Sequence, residues 1–275
     1  MTIRSIPFLK LLSTFLLTSM SVNSGMVYAE HHPETSASEH ISSIKTAHGG
    51  DAYYQQQAVQ ADFLLEFGAL KIDATMLFTP SVGKARMDVT GLGTMVFDGQ
   101  SVWVSPSTAS VPGPPARFHV LTWPYFAAVP FKLDDPGTNH SDAGKREVTA
   151  PDDIRVGTKI TFDAGVGDAP EDWYIAFSDD ENRLEALAYI VTATKPKAEA
   201  EAQPSIILYS NFVEVDGATF ATQWDFHFWS PESGIGDQKA TAKLSNIKFV
   251  TPEASAFDKP SDAVESVMPS LASSN

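Results

Sequence analysis

The chain has 275 residues, with 19 Lys+Arg against 34 Asp+Glu, a net charge of −15 and no cysteine. That balance argues against nucleic acid and anionic membrane surfaces as partners, because both reward basic patches, and it keeps copies apart, so a monomer is expected. The missing thiols exclude disulfides and a cysteine-linked lipid anchor, which leaves burial to hold the fold together.

Residues 1–29 have the layout of a secretory signal. Arg4 and Lys10 supply a positive start, 11–20 is an apolar run broken only by Ser and Thr, and Val27-Tyr28-Ala29 fits the small-residue cleavage rule. The run is short for a membrane span, and no second one follows. Cleavage after Ala29 places the product in the periplasm, with secretion as the second choice. Residues 30–37 are expected as a flexible leader. His31 and His32 have no further ligands at metal-site spacing, so neither metal nor cofactor is predicted.

Ile41, Ile44 and Ala47 form an apolar stripe that predicts a helix over 38–47. His48-Gly49-Gly50-Asp51 reads as a helix end and a fresh start, with a left-handed glycine and Asp51 as the cap of a short helix to about residue 57. The period then changes to two. Val59, Ala61, Phe63, Leu65 and Phe67 alternate with polar neighbours, as do Ile72, Ala74, Met76 and Phe78, and then Ala85, Met87 and Val89. Breaks at residues 79–83, at 91–93 and at Asp98-Gly99 divide 72–106 into four short strands, the last pair a hairpin.

Proline-rich 106–115 is loop. Residues 117–131 hold Phe118, Trp123, Tyr125, Phe126 and Phe131, with Pro124 and Pro130 between them, and predict short helical turns. Strands return at 145–149, 154–162, 173–177, 183–194, 205–215, 218–229 and 239–250. The charged, alanine-rich 195–204 is expected as a solvated hairpin loop. One domain spans 38–257, and 258–275 is expected as a disordered tail.

About ten or eleven strands, each with one apolar face, form an antiparallel meander, and too few helices are available to cover it. The fold class expected is mainly β with a few helices: a curled antiparallel sheet, an unclosed β-barrel, with a helical lid. Ordinary packed core and a ligand cavity both satisfy this alternation. For a cavity, the inner wall is assigned to Phe63, Leu65, Phe67, Met76, Phe78, Met87, Trp224, Phe226 and Phe228, and the lid or rim to Trp103, Trp123 and Phe126. Val102 and Val104 compete with Trp103 for the inward positions.

Several segments resemble the periplasmic lipoprotein carriers of the LolA type. They are Phe78-Thr79-Pro80, Arg86-Met87-Asp88, the hairpin VFDGQSVWV at 96–104, VPFKL at 129–133, the hairpin at 174–191 and NIKFVTP at 246–252. The resemblance implies a half-closed barrel with a helical lid and a hydrophobic cavity for acyl chains. Thr79 stands where the carriers place an arginine, and this chain is longer at 106–115, near Lys195 and at the C-terminus. The expected function is therefore an exported, non-catalytic carrier or binding protein for a lipid, acyl chain or lipoprotein, with an envelope membrane protein as a possible partner.

Two other classes stay open. A secreted hydrolase would use carboxylates, with Asp88 and Asp225 as the strand candidates and His119 or His227 as acid or base. The acid pairs at 134–135, 152–153 and 179–180 fall in predicted turns. Nucleophile-elbow, zincin, P-loop and dinucleotide motifs are absent from the sequence. A cell-envelope scaffold would instead present an exposed apolar patch over a filled core.

Overall fold

A computed structural model describes residues 36–149 and 153–268. The expected signal peptide, most of the leader and the last seven residues lie outside the described residues.

The first helix, α1 (Ala37–Ala47), begins on a capping box. The Ser36 hydroxyl accepts from the Glu39 N–H, and the Glu39 carboxylate accepts from the Ser36 N–H. Ile41 and Ile44 are fully buried. The second helix, α2 (Gly50–Tyr54), starts at Gly49, whose φ of 74° lies in the left-handed region. Asp51 falls inside the first turn of α2, so the glycine backbone makes the cap and the aspartate does not.

The sheet comprises β1 (Ala58–Phe67), β2 (Leu70–Phe78), β3 (Ala85–Val89), β4 (Gly93–Phe97), β5 (Val102–Ser105), β6 (Thr138–Glu147), β7 (Ile154–Phe162), β8 (Trp173–Ser178), β9 (Leu184–Tyr189), β10 (Ser205–Val215), β11 (Ala218–Ser230), β12 (Gly234–Val250) and β13 (Val264–Glu265). These thirteen strands form one antiparallel sheet in the order β13-β5-β4-β3-β2-β1-β12-β11-β10-β9-β8-β7-β6. It is the expected curled, unclosed barrel. Register shifts between β1 and β12, between β11 and β12, between β6 and β7 and between β8 and β9 mark bulges that bend it.

The Asp98-Gly99 hairpin forms between β4 and β5. Asp98 Oδ1 accepts from the N–H groups of Gln100 and Ser101, both at 2.9 Å, and Gly99 takes a φ of 107°. β6 begins at Thr138, seven residues earlier than expected, and pairs along the whole of β7.

Residues 116–132 form one continuous helix, α3 (Ala116–Lys132), instead of separate turns. Pro130 cannot donate to the carbonyl of Phe126, and the Tyr209 hydroxyl donates to that oxygen instead, at 3.4 Å. α3 lies within the curl of the sheet, and its stripe Ala116, Val120, Trp123 and Ala127 is buried. Trp123 sits 5.6 Å from Phe63 and 6.2 Å from Phe226. Phe131 stacks on Tyr53 at 3.8 Å, which joins α3 to α2.

A second apolar cluster lies on the opposite face of β8, β9 and β10. Trp173, Ile175, Phe177, Ala188, Ile206 and Trp229 pack there with Val148 and Ala200. Ala200 belongs to α4 (Lys197–Glu201). The interval 195–204 is therefore not a fully solvated loop: its short helix buries Ala200 against strands that are apolar on both sides. The described part of the C-terminus is also ordered into the fold. β13 pairs with β5, Val264 opposite Val104 and Glu265 opposite Trp103, so a disordered tail does not begin at residue 258.

Candidate functional site

Seven of the nine residues assigned to an inner wall are covered on the concave side. Phe63, Leu65, Met76, Phe78, Met87, Trp224 and Phe226 are all buried in one cluster, but α3 and its Trp123 fill the space above them. They form packed core under the helix. Each such side chain contributes about 1.5–3 kcal/mol by leaving water.

Phe67 and Phe228 are corrections. They are 44% and 51% exposed. Both keep the inward phase of their strands but lie two residues beyond the last covered position, Leu65 and Phe226 respectively. The Lys239 ammonium lies over the Phe228 ring, 5.2 Å from its centre. Trp103 is a third correction. Val102 and Val104 take the inward positions, and Trp103 turns outward. There its indole N–H donates to Asp98 Oδ2 at 2.7 Å, and Lys259 lies 3.9 Å over the ring.

The open space lies beside α3, on its other stripe. Phe118, Leu121, Thr122, Tyr125 and Phe126 fall at i, i+3, i+4, i+7 and i+8, one helical face. All but Phe126 are only half-buried, because they border a hollow of about 330 Å3. The facing wall comes from Phe162 of β7, Tyr174 of β8, Tyr189 of β9 and the turn before β8 that carries Asp168 and Asp172. Phe97 of β4 and Met268 complete the rim. Of the residues assigned from the sequence to cavity or lid, Phe126 alone lines this hollow. Aromatic rings form much of the wall: Tyr174 lies 5.4 Å from Phe162 and 6.0 Å from Tyr125, and Phe126 lies 5.3 Å from Tyr189.

The polar groups of the hollow are few. Arg117, in the first turn of α3, makes a two-pronged contact with Asp168, and its Nη2 donates to Oδ1 at 2.8 Å. The same guanidinium lies 5.6 Å over Phe97 and donates to the Gln100 carbonyl. This pair ties α3 to the turn before β8 at the rim. Lys132, nearly buried, pairs with Asp135 and donates to the Ser81 carbonyl at 2.9 Å. Asp172 Oδ1 accepts from the Thr192 N–H at 2.6 Å. Burial pushes the Asp172 carboxyl up to about 6, against the opposing hydrogen bonds from Thr192. Burial likewise raises the Tyr125, Tyr174 and Tyr189 phenols, so all three stay protonated donors.

The hydrolase candidates do not converge. Asp88 is held by Arg86, Nε and Nη2 each at 2.8 Å, and by Thr94. Asp225 accepts from Gln223 and Gln238. β2, β1 and β12 lie between their strands, a path of about 19 Å along the sheet at the usual strand spacing. His119 accepts the Trp123 indole N–H on Nδ1, so Nε2 carries the proton and donates to the Pro112 carbonyl. It packs the plug, and His227 bonds the Gly236 carbonyl near the surface. In a polar recess walled by Asp62, Asp73, Gln223 and Lys243, two of the polar side chains are engaged by neighbours: Asp62 accepts from Asn246, and Gln223 donates to Thr241. No described helix is long and apolar enough to cross a membrane.

No family model and no curated protein matches the sequence. Among solved structures the chain is similar to a LolA superfamily protein from Nitrosomonas europaea, with a TM-score of 0.53 at 10% identity over 82% of this chain and 98% of that one. A DUF1329 family protein from Desulfovibrio piger gives 0.40 at 11% identity, over 78% and 95% of the two chains. A domain of an outer membrane lipoprotein-sorting protein from Vibrio parahaemolyticus gives 0.42 at 8% identity, over 81% and 97%. With its unclosed antiparallel sheet curled round a helical plug and matched along nearly the whole Nitrosomonas chain, the protein has a divergent LolA-like fold.

Proposed function

We propose that the chain is an exported, non-catalytic carrier or binding protein that holds a lipid or other apolar molecule in the hollow beside α3. The observation that carries this reading is the half-buried, largely apolar stripe Phe118, Leu121 and Tyr125, facing Phe162 and Tyr174 across about 330 Å3. Apolar walls left to water cost about 25 cal/mol per Å2, and an apolar guest removes that cost. The volume lies near the lower end of the range for small-molecule sites, about 300–1,000 Å3. The divergent LolA-like fold supports the same reading, and the secretory layout of residues 1–29 supports a periplasmic place of work. An envelope membrane protein is the partner this role calls for.

The test uses the full mature chain purified without detergent. Native mass spectrometry should find a co-purified mass in the lipid range, and the neutral fluorophore N-phenyl-1-naphthylamine should bind with an enhanced signal. Leu121→Trp, which fills the hollow from α3, should abolish both while the protein stays folded. Unchanged fluorophore binding by that variant would reject the site.

A further inference from the structure

We propose that the hollow selects amphiphiles whose head is an uncharged hydrogen-bond donor, received by Asp172, and disfavours carboxylate and phosphate heads. This rests on the reading of the hollow as a ligand site and names the class of head it takes.

The argument is a charge inventory of the lining. Four charged side chains reach it: Arg117, Lys132, Asp168 and Asp172. Arg117 is neutralised by Asp168 through two hydrogen bonds. Lys132 is neutralised by Asp135 and spends another donor on the Ser81 carbonyl. Asp172 has no such counterion: among the described residues no Lys, Arg or His lies within ion-pair distance of it, and the charge beside it is the like charge of Glu171.

Among the described residues Thr192 supplies the hydrogen bonds Asp172 has, a single neighbour for a carboxylate with about four lone-pair sites. Accepting capacity is therefore left over at the wall of an apolar hollow, where a donor is worth more than in water. An alcohol or amide head satisfies it. A carboxylate or phosphate head brings a second negative charge beside Asp172, whose own charge has no ion-pair partner among the described residues, inside a chain of net charge −15. The neighbouring phenols of Tyr125 and Tyr174 are donors and add no positive charge.

The test is displacement of N-phenyl-1-naphthylamine at pH 7.5 by 1-dodecanol, dodecanoate and dodecyl phosphate. Dodecanol is expected to displace the probe at a concentration at least about tenfold below either anion. A carboxylate partitions less well than an alcohol into any apolar site, so the variant decides. Asp172→Asn keeps the size of the side chain and removes its charge, and it should narrow the gap to about threefold or less. Asp172→Ser serves the same purpose if the amide variant is unstable. An equal response to alcohol and anions in the wild type, or a gap that survives both variants, overturns the proposal. Failure of the probe and of all three amphiphiles to bind instead rejects the hollow as a ligand site.

Discussion

Trp123 on α3 lies 5.6 Å from Phe63 on β1, at an interplanar angle of 30°. This contact decides what the concave side of the sheet is. Space that would be open under a mobile cover is occupied by an indole and its neighbours, and the open volume moves to the other stripe of the helix. Trp123→Ala should therefore cost about 3–5 kcal/mol, the range for deleting a large aromatic from a core that cannot collapse. Urea denaturation of the purified variant measures it. A loss below about 1 kcal/mol would show that the helix does not seal on β1.

The Arg117–Asp168 pair should govern release more than stability. The two side chains are 21% and 32% exposed, and pairs of that kind contribute about 0–1 kcal/mol. They nonetheless join α3 to the turn before β8 at the rim of the hollow, so a guest leaves faster once they part. Arg117→Ala and Asp168→Ala should each raise the dissociation rate of a bound fluorophore several-fold, and the double variant should add little to either. Stopped-flow release reads this directly. Additive effects of the two substitutions would argue that the residues act separately.

Much of the sheet was legible in the sequence, because β2 to β5 combine period-two apolar residues with turn chemistry at 79–83, 91–93 and Asp98-Gly99. β6 was legible only at its end, where the expected strand 145–149 overlaps it, since Thr138–Glu147 is an edge strand with no apolar alternation to mark it. In the sequence α3 reads as fragments, because Pro124 and Pro130 look like breakers. The Tyr209 hydroxyl that takes over the freed Phe126 carbonyl comes from 83 residues away.

Alternation also assigns a face without saying where its cover ends. Phe67 and Phe228 point to the correct side but lie past the end of the packing. The walls of the hollow were missed for a related reason. Leu121, Tyr125 and Phe162 are apolar positions like any others until the helix is placed. The one available signal was the spacing 118, 121, 122, 125, a helical stripe hidden by Pro124.

Gly49 stands where no other residue fits. Its φ of 74° is left-handed, and a β-carbon there would lie 1.9 Å from the Gly217 carbonyl oxygen in the β10–β11 turn. That close approach lets the Thr219 N–H donate to the His48 carbonyl, which fastens the α1–α2 corner to the sheet. Gly49→Ala should therefore destabilise by at least about 2 kcal/mol, since the backbone strain alone is about 1–2 and the corner must also move. Gly68→Ala, with nothing within 4 Å of the added carbon, should pay the strain without the clash. Equal thermal melting of the two variants would contradict this account.

His48 sets a pH limit on the same corner. It is fully buried between Phe131 and Phe212, with ring centres at 5.9 and 5.8 Å. Nε2 accepts from the Leu184 N–H at 2.9 Å, so the proton sits on Nδ1 and is donated to the Thr219 carbonyl at 2.7 Å. The neutral imidazole thus satisfies both partners, and a second proton would have to displace the Leu184 N–H.

Burial accordingly lowers the pKa of His48 from 6.5 to about 4. Between those values the unfolded chain binds more protons at this position than the folded one, so stability falls as pH falls. The contribution of His48 is complete above about pH 6.5 and is lost progressively towards pH 4, by roughly 3 kcal/mol in all. His48→Gln cannot meet both partners with the same geometry and should be less stable at pH 7 by about 1–3 kcal/mol. It should also lose this part of the pH slope, so the two proteins converge as pH falls from 7 to 5. Parallel urea midpoints across that range would show that the buried ring does not titrate on unfolding.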